Sequence, residues 1–453
     1  MTTRNGLLVV AVLAVAGVVA ACAGGHGSNQ PSDAAASTAS RGSFATDVSA
    51  ARPSGSSVRA ASVARATVSG PVTGGRRDRP FNAMSRTLAE AHGYVEEEFF
   101  VSGEATAYET SGSPTADGRW SVRPTTRAPY TTRLLVRRPA DGHRFDGTVL
   151  VEWLNVSSGQ DSDVEFAQAH EELMAHGTVW VGVSAQAVGV EGGASMAMPG
   201  LVPSPLKTWD PERYGPLVHP GDDYSYDMFS QAAAALLRPQ GVDPLAATPP
   251  RLLLAAGESQ SAARLVTYVN AVHPVADAFD GFLVHSRSDG GAPLHGGVAL
   301  PRPARIRADL DVPVFVFETE TDVLGLPFLD ARQPDTDRLR TWEVAGTAHL
   351  DRHLLDTLRD AATATGAPPA PGASGAATSG PGDPVEAQCG TVNDGPQAAV
   401  LAKALSDLRA WAAGGPPPSS GAGTSRPIRT RRGSATSTPG SSSRSRTSTM
   451  SGR

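Results

Sequence analysis

The chain is 453 residues long, with a net charge of −6, 19% charged and 6% aromatic residues, and 48 Gly and 36 Pro. That composition predicts one core of medium size with long flexible ends, not a chain packed from end to end. The central region has no basic stripe to offer nucleic acid, and two cysteines, Cys22 and Cys389, make no disulfide framework.

Arg4 precedes an unbroken apolar run from Leu7 to Ala21, too short for a comfortable membrane span and ordered like a signal peptide. The run ends in Val19-Ala20-Ala21-Cys22, which resembles a bacterial lipobox. Residues 1–22 are therefore expected to be a lipoprotein signal peptide. Lipid on Cys22 would then hold the mature protein to the membrane on its extracytoplasmic side. The alternative is an ordinary signal peptide cut at a nearby Ala. Residues 23–79 are Ser, Ala, Gly, Pro and Thr with almost no large apolar side chain, and read as a disordered tether.

The folded domain is expected over residues 80–418. Tyr94–Tyr108 alternates and bears aromatics, which predicts one or two antiparallel strands, and Thr132–Pro139 predicts another. The rhythm then changes. Gly147–Leu154 and Thr178–Val183 read as buried strands, with helical character over Phe166–His176 between them. Residues 187–222, rich in Gly, Pro and aromatics, suggest a loop-like insertion over the site. Tyr226–Leu237 is helical, and Phe282–His285, Val312–Phe317 and Leu339–Val344 are further strands. Strands alternating with helices predict an α/β fold with a mostly parallel sheet covered on both faces. Residues 361–384 read as a disordered excursion. Ala398–Ala412 returns as an amphipathic helix showing Leu401, Leu405, Leu408 and Trp411 on one face.

The chemistry is centred on Arg251–Asn270. The apolar run Leu252–Ala256 is followed at once by Gly257-Glu258-Ser259-Gln260-Ser261 and then by apolar residues at helical spacing. A strand, a sharp turn on a Ser, and a helix form the context of a G-x-S-x-G nucleophile elbow; here Ser261 replaces the last Gly. A serine nucleophile needs a base, an orienting acid and donors for an oxyanion. In an α/β-hydrolase the acid follows one late strand and the His the next. Val312–Phe317 runs into Glu318-Thr319-Glu320-Thr321-Asp322, and Leu339–Val344 runs into Gly346-Thr347-Ala348-His349. The expected triad is Ser259, His349 and Asp322, with Glu320 as the alternative acid. The expected oxyanion donors are the N–H of Gln260 and the Asn155-Val156 loop after the first buried strand.

Other residue clusters offer competing readings. His349 and His353 lie at a zinc-like spacing, but position 350 is Leu and no H-E-x-x-H motif exists. No metal is expected. His219, Asp222 and Asp223 are read as a polar turn in preference to a calcium site. Trp209, Tyr214, Tyr224, Tyr226 and Phe229 either line a substrate pocket or form the core of the insertion. Residues 419–453 carry seven Arg and no Asp or Glu. They read as a disordered basic tail, or as the product of a frameshift in a GC-rich gene.

YVEEEFFVSGEA, FDGTVLVEWLNVSSGQD, WDPERYGPLVHPGDDYSYD, GESQSAARL, FETETDV and GTAHLD occur in that order and resemble the bacterial "α/β hydrolase domain-containing" family from about Pro80 to Pro418. The resemblance implies a serine-hydrolase fold with Ser259, His349 and the Glu320/Asp322 loop as triad positions. The expected activity is hydrolysis of a small-molecule carboxylic ester through an acyl-enzyme, without a cofactor. The alternatives are a non-catalytic surface binding protein on a hydrolase scaffold and an envelope acyltransferase.

Overall fold

The structure, a computed structural model, describes residues 59–195, 203–365 and 391–420. The leader with Cys22, much of the tether, most of the 361–384 excursion and the tail from residue 421 lie outside the described residues. Among the described residues no helix is long and apolar enough to cross a membrane.

Ten strands form one sheet: β1 (Thr67–Ser69), β2 (Tyr94–Thr110), β3 (Val122–Pro139), β4 (Thr148–Trp153), β5 (Val179–Val183), β6 (Gln240–Gly241), β7 (Leu252–Glu258), β8 (Gly281–His285), β9 (Val314–Thr319) and β10 (Leu339–Val344). Their order is β10-β9-β8-β7-β4-β5-β3-β2-β1-β6. From β10 to β5 every neighbour is parallel, whereas β3 joins β5 and β2 antiparallel as one long hairpin. Strands buried on both faces need continuous apolar sequence, and β4, β5, β8 and β9 have no exposed position.

Side chains alternate between two cores, as the strand period of two requires. On one face Val149, Val151, Leu253, Ala255, Phe282 and Val284 pack with α3 (Ser225–Leu237) and α4 (Gln260–Thr267). On the other, Leu150, Leu254, Leu283, Phe315 and Phe317 meet α2 (Val164–His176) and α7 (Gln397–Ala412) through Leu173, Leu401, Leu405, Leu408 and Trp411. The remaining helices used below are α1 (Arg86–His92), α5 (Glu320–Gly325) and α6 (Arg352–Thr365). Gly177 ends α2 at φ 78°, and a Cβ there would stand 1.8 Å from the Arg144 carbonyl oxygen. Only glycine fits that turn into β5.

Ordered chain begins earlier than the sequence suggests. Within the expected 23–79 tether, Ala60, Val63, Ala66 and Val68 are buried and β1 pairs with β2, Val68 opposite Val101. Small side chains carry this contact, so hydrophobicity along the sequence does not reveal it. Residues 361–365, at the start of the expected excursion, complete α6. The insertion is also less loop-like than expected. It carries short helices at Ala187–Glu191, Leu206–Trp209 and Pro211–Tyr214, and a small core of its own with Phe81 and Phe100.

Candidate active site

The strand order reverses between β4 and β7, and in open α/β sheets the crevice beyond the carboxyl ends at such a point is where ligands bind. The loops after β4 and β7 hold Asn155-Val156 and Ser259. Ser259 sits at φ 58° and ψ −112°, outside the well a non-glycine residue prefers, a conformation that costs on the order of 1–3 kcal/mol. Its N–H is held by the His285 carbonyl at 2.9 Å. The tight turn depends on small neighbours. A Cβ on Gly257 would lie 3.1 Å from the Ser261 Cβ and 3.2 Å from Leu265. Serine at position 261 is thus accommodated because position 257 is glycine.

Three loops bring the sequence-predicted residues together. The Ser259 hydroxyl lies 2.9 Å from His349 Nε2, and His349 Nδ1 lies 2.6 Å from Asp322 Oδ1. Asp322 is fully buried. Its second oxygen accepts from Ser286 Oγ at 2.5 Å, Thr319 Oγ1 at 2.6 Å and the Thr319 N–H at 2.8 Å. Burial alone would raise the Asp322 carboxyl, but His349 and these donors outweigh it and hold it below the usual carboxylate range. The His349 main chain is pinned as well, its N–H donating to Thr321 Oγ1 at 2.8 Å.

Glu320, the alternative acid, is not in reach of the histidine in this arrangement. It is exposed, and its carboxylate accepts the Gly346 N–H at 2.6 Å, bracing the turn that carries the His349 loop. A single residue of helix, Thr321, separates Glu320 from Asp322, and only the latter turns inward. Glu318, on β9, is fully buried and accepts the Arg287 N–H at 3.2 Å; burial holds its carboxyl well above the usual range.

The oxyanion donors need one correction. The Asn155 N–H bonds the Ser162 carbonyl at 3.0 Å, so it is not free to meet a ligand. The Asn155 side chain instead docks the loop on the elbow, Nδ2 donating to the Glu258 carbonyl at 3.0 Å and to Glu258 Oε2 at 3.3 Å. Among the described residues the N–H groups of Val156 and Gln260 have no acceptor. Gln260 is the first residue of α4, where an N–H has no intrahelical partner.

Sequence reasoning passed over Glu258. Its carboxyl Oε1 lies 3.1 Å from the same His349 Nε2 that faces Ser259. Burial raises Glu258 to about 7, against the pull of His349 and His285. Burial would lower His349, yet Glu258 and Asp322 together push it up to about 9. Ser286 was likewise unmarked. An acidic residue at the end of an otherwise apolar buried strand was the available signal for Glu258; nothing comparable marks Ser286.

The competing clusters do not assemble. His219 Nε2 meets the Ala185 carbonyl, Asp222 meets the Ala187 N–H and Arg264, and Asp223 meets His295. Among the described residues no group of His, Cys, Asp and Glu is placed to hold a metal. Tyr226 and Phe229 belong to the main core and Trp209 and Tyr214 to that of the insertion, while the Tyr224 hydroxyl meets Thr126. The insertion is tied to the elbow helix by Asp222 and Arg264 at 2.6 Å.

A doubly covered, mostly parallel sheet with a strained serine at the switch point and a His and Asp on the two following late loops defines an α/β-hydrolase. The family profile described as "Alpha/beta hydrolase domain" matches residues 68–436, and the chain belongs to that family. The match begins within β1 and runs beyond Pro418. Among curated proteins no significant match was found. Solved structures similar to it include esterase Est22, at 14% identity over 62% of this chain and 82% of that chain, TM-score 0.32. An esterase from Rhizomucor miehei shares 13% identity over 61% and 86%, TM-score 0.30. A serine hydrolase without lid from Xanthomonas campestris shares 13% over 57% and 93%, TM-score 0.30. At these identities and scores nothing about substrate follows from them.

Proposed function

We propose that the protein is a serine hydrolase that cleaves carboxylic esters through an acyl-enzyme. The observation that carries the reading is the hydrogen-bonded chain from Ser259 Oγ through His349 to a fully buried Asp322, with the N–H groups of Val156 and Gln260 unpaired among the described residues. Ser259 Oγ attacks the ester carbonyl while its proton passes to His349 Nε2. Asp322 keeps the other ring nitrogen protonated and the ring in line. The N–H groups of Val156 and Gln260 receive the oxyanion. Collapse expels the alcohol, which takes the proton from His349, and water then repeats the sequence on the acyl-enzyme.

A fluorophosphonate probe should label the wild type at Ser259 and leave Ser259→Ala unlabelled. A panel of chromogenic esters of graded chain length should then identify the acyl group. Labelling elsewhere, or none, would favour a binding protein on a hydrolase scaffold; transfer of the acyl group to an alcohol in preference to water would make it an acyltransferase. The same proposal puts the enzyme outside the membrane, anchored by lipid on Cys22. Cys22→Ala should then release it into the medium or leave it unprocessed, since a lost lipid removes the membrane affinity.

A further inference from the structure

Two oxygens converge on one nitrogen. His349 Nε2 lies 2.9 Å from the Ser259 hydroxyl and 3.1 Å from Glu258 Oε1, and Nε2 can carry at most one proton. When the ring is neutral, Nδ1–H serves Asp322 and Nε2 presents a lone pair. That lone pair suits the Ser259 O–H but opposes an ionised Glu258. When the ring is an imidazolium, Nε2–H points at two oxygens that both attract it. The charge on Glu258 and the proton on His349 are therefore linked.

The surroundings keep this link strong. Glu258 is 6% exposed and the His349 side chain 14%, so solvent and salt screen little of the interaction. Asn155 Nδ2 steadies the Glu258 carboxyl from the β4 loop. The other ionisable groups facing Glu258 are His285 from β8, Asp322 from α5 and Glu165 from α2. His285 is itself held by Glu165, Nδ1 to Oε1 at 3.1 Å, so its charge is largely answered there. Asp322 adds to the pull on His349 and does not compete for Nε2. Among the described residues no arginine or lysine forms an ion pair with Glu258. His349 is thus its nearest cationic partner.

We infer that Glu258 is a positioning residue for the base: through Nε2 it holds the His349 imidazolium, suppressing turnover at neutral pH and giving a stronger base at alkaline pH. This rests on reading His349 as the base. The sign follows from which form attacks. Only neutral His349 can take the serine proton, and a raised imidazolium delays that form to higher pH. Once it is present, its greater basicity favours proton transfer. Because one proton is shared by two groups, the observed midpoints belong to the pair.

The test compares the wild type with Glu258→Gln, measuring kcat/KM for p-nitrophenyl acetate between about pH 5 and 10. The wild-type rate should rise through about pH 9, the region of the raised His349. In Glu258→Gln the rise should move about two units lower, towards ordinary histidine, with a plateau about tenfold below that of the wild type. The two profiles should therefore cross. A variant slower at every pH with its rise unmoved would overturn the inference, since a merely structural role does that. The His349 ring protons, followed by NMR in the Ser259→Ala background, need no turnover and separate this inference from the esterase reading. A His349 midpoint that does not fall on adding Glu258→Gln overturns it whatever the substrate. Should Glu258→Gln not fold, the Ser259→Ala titration alone decides: a midpoint near 9 supports the inference, and one at or below about 7 overturns it.

Discussion

Buried charge occurs on both halves of the sheet and is handled in opposite ways. On the antiparallel half, Arg133 and Arg137 from β3 are essentially inaccessible, yet each guanidinium nitrogen has an acceptor. Arg133 bonds Asp161 at 2.9 Å, Glu98 at 3.4 Å, Ser184 and the Phe81 carbonyl; Arg137 bonds Glu96 at 2.9 Å, Asp163 at 2.5 Å and the Asn82 carbonyl. Arg213 adds a second cation on Glu98 at 2.6 Å. On the parallel half, acids lie beside histidines and, at Glu318, beside the buried Arg287. Glu318 Oε2, Glu165 Oε2 and His285 Nε2 have no partner among the described residues, and Glu258 shares His349 with Ser259. Guanidinium groups with every nitrogen paired to an acceptor set a fixed geometry, although Asp161 Oδ1 keeps no partner among the described residues. Carboxyls without a full set of donors leave the protonation state adjustable, and that is what proton transfer requires.

The sharpest way to break this contrast is at Ser259. Ser259→Ala should lower kcat by about 10⁴ to 10⁶, and adding His349→Ala should cost little more, because the pair acts as a unit. Thermal melts should not change, since Ser259 supports no core contact. Additive losses, or normal turnover in Ser259→Ala, would remove the triad.

Next comes the acid. Asp322→Asn should cut turnover roughly 10⁴-fold by presenting an amide donor to Nδ1 and leaving the ring in the wrong tautomer. The matching change on the antiparallel half should act on stability. Arg133→Met leaves Asp161 buried without its cation and Glu98 with Arg213 alone, and should cost about 3–5 kcal/mol in urea unfolding, with kcat of the folded fraction unchanged. Loss of kcat without loss of stability there would erase the distinction between the halves.

The smallest effect is expected at Glu320. Glu320→Gln keeps an acceptor for the Gly346 N–H, so kcat/KM should fall by less than about threefold. A loss comparable to that of Asp322→Asn would move the acid to Glu320.

Periodicity and residue type in the sequence were enough for the parallel strands, the elbow and the amphipathic face of α7. Burial on both faces demands apolar runs such as Leu252–Ala256, and a helix packed on one side demands Leu401, Leu405, Leu408 and Trp411 at helical spacing. The meeting of Ser259, Asp322 and His349 was legible because each follows its own strand end. What the sequence could not decide depends on contacts between distant segments. Glu320 and Asp322 are both acids on one short helix, and only the fold shows that Asp322 faces His349 while Glu320 meets Gly346. Asn155 carries the right groups for an oxyanion donor, but pairing with Ser162 takes its N–H away. The stretch from Ala60 to Val68 is too small-sided to announce itself as core. Glu258 takes its place in the site from His349, far along the chain, and no local pattern encodes a distance between loops that only the folded sheet brings together.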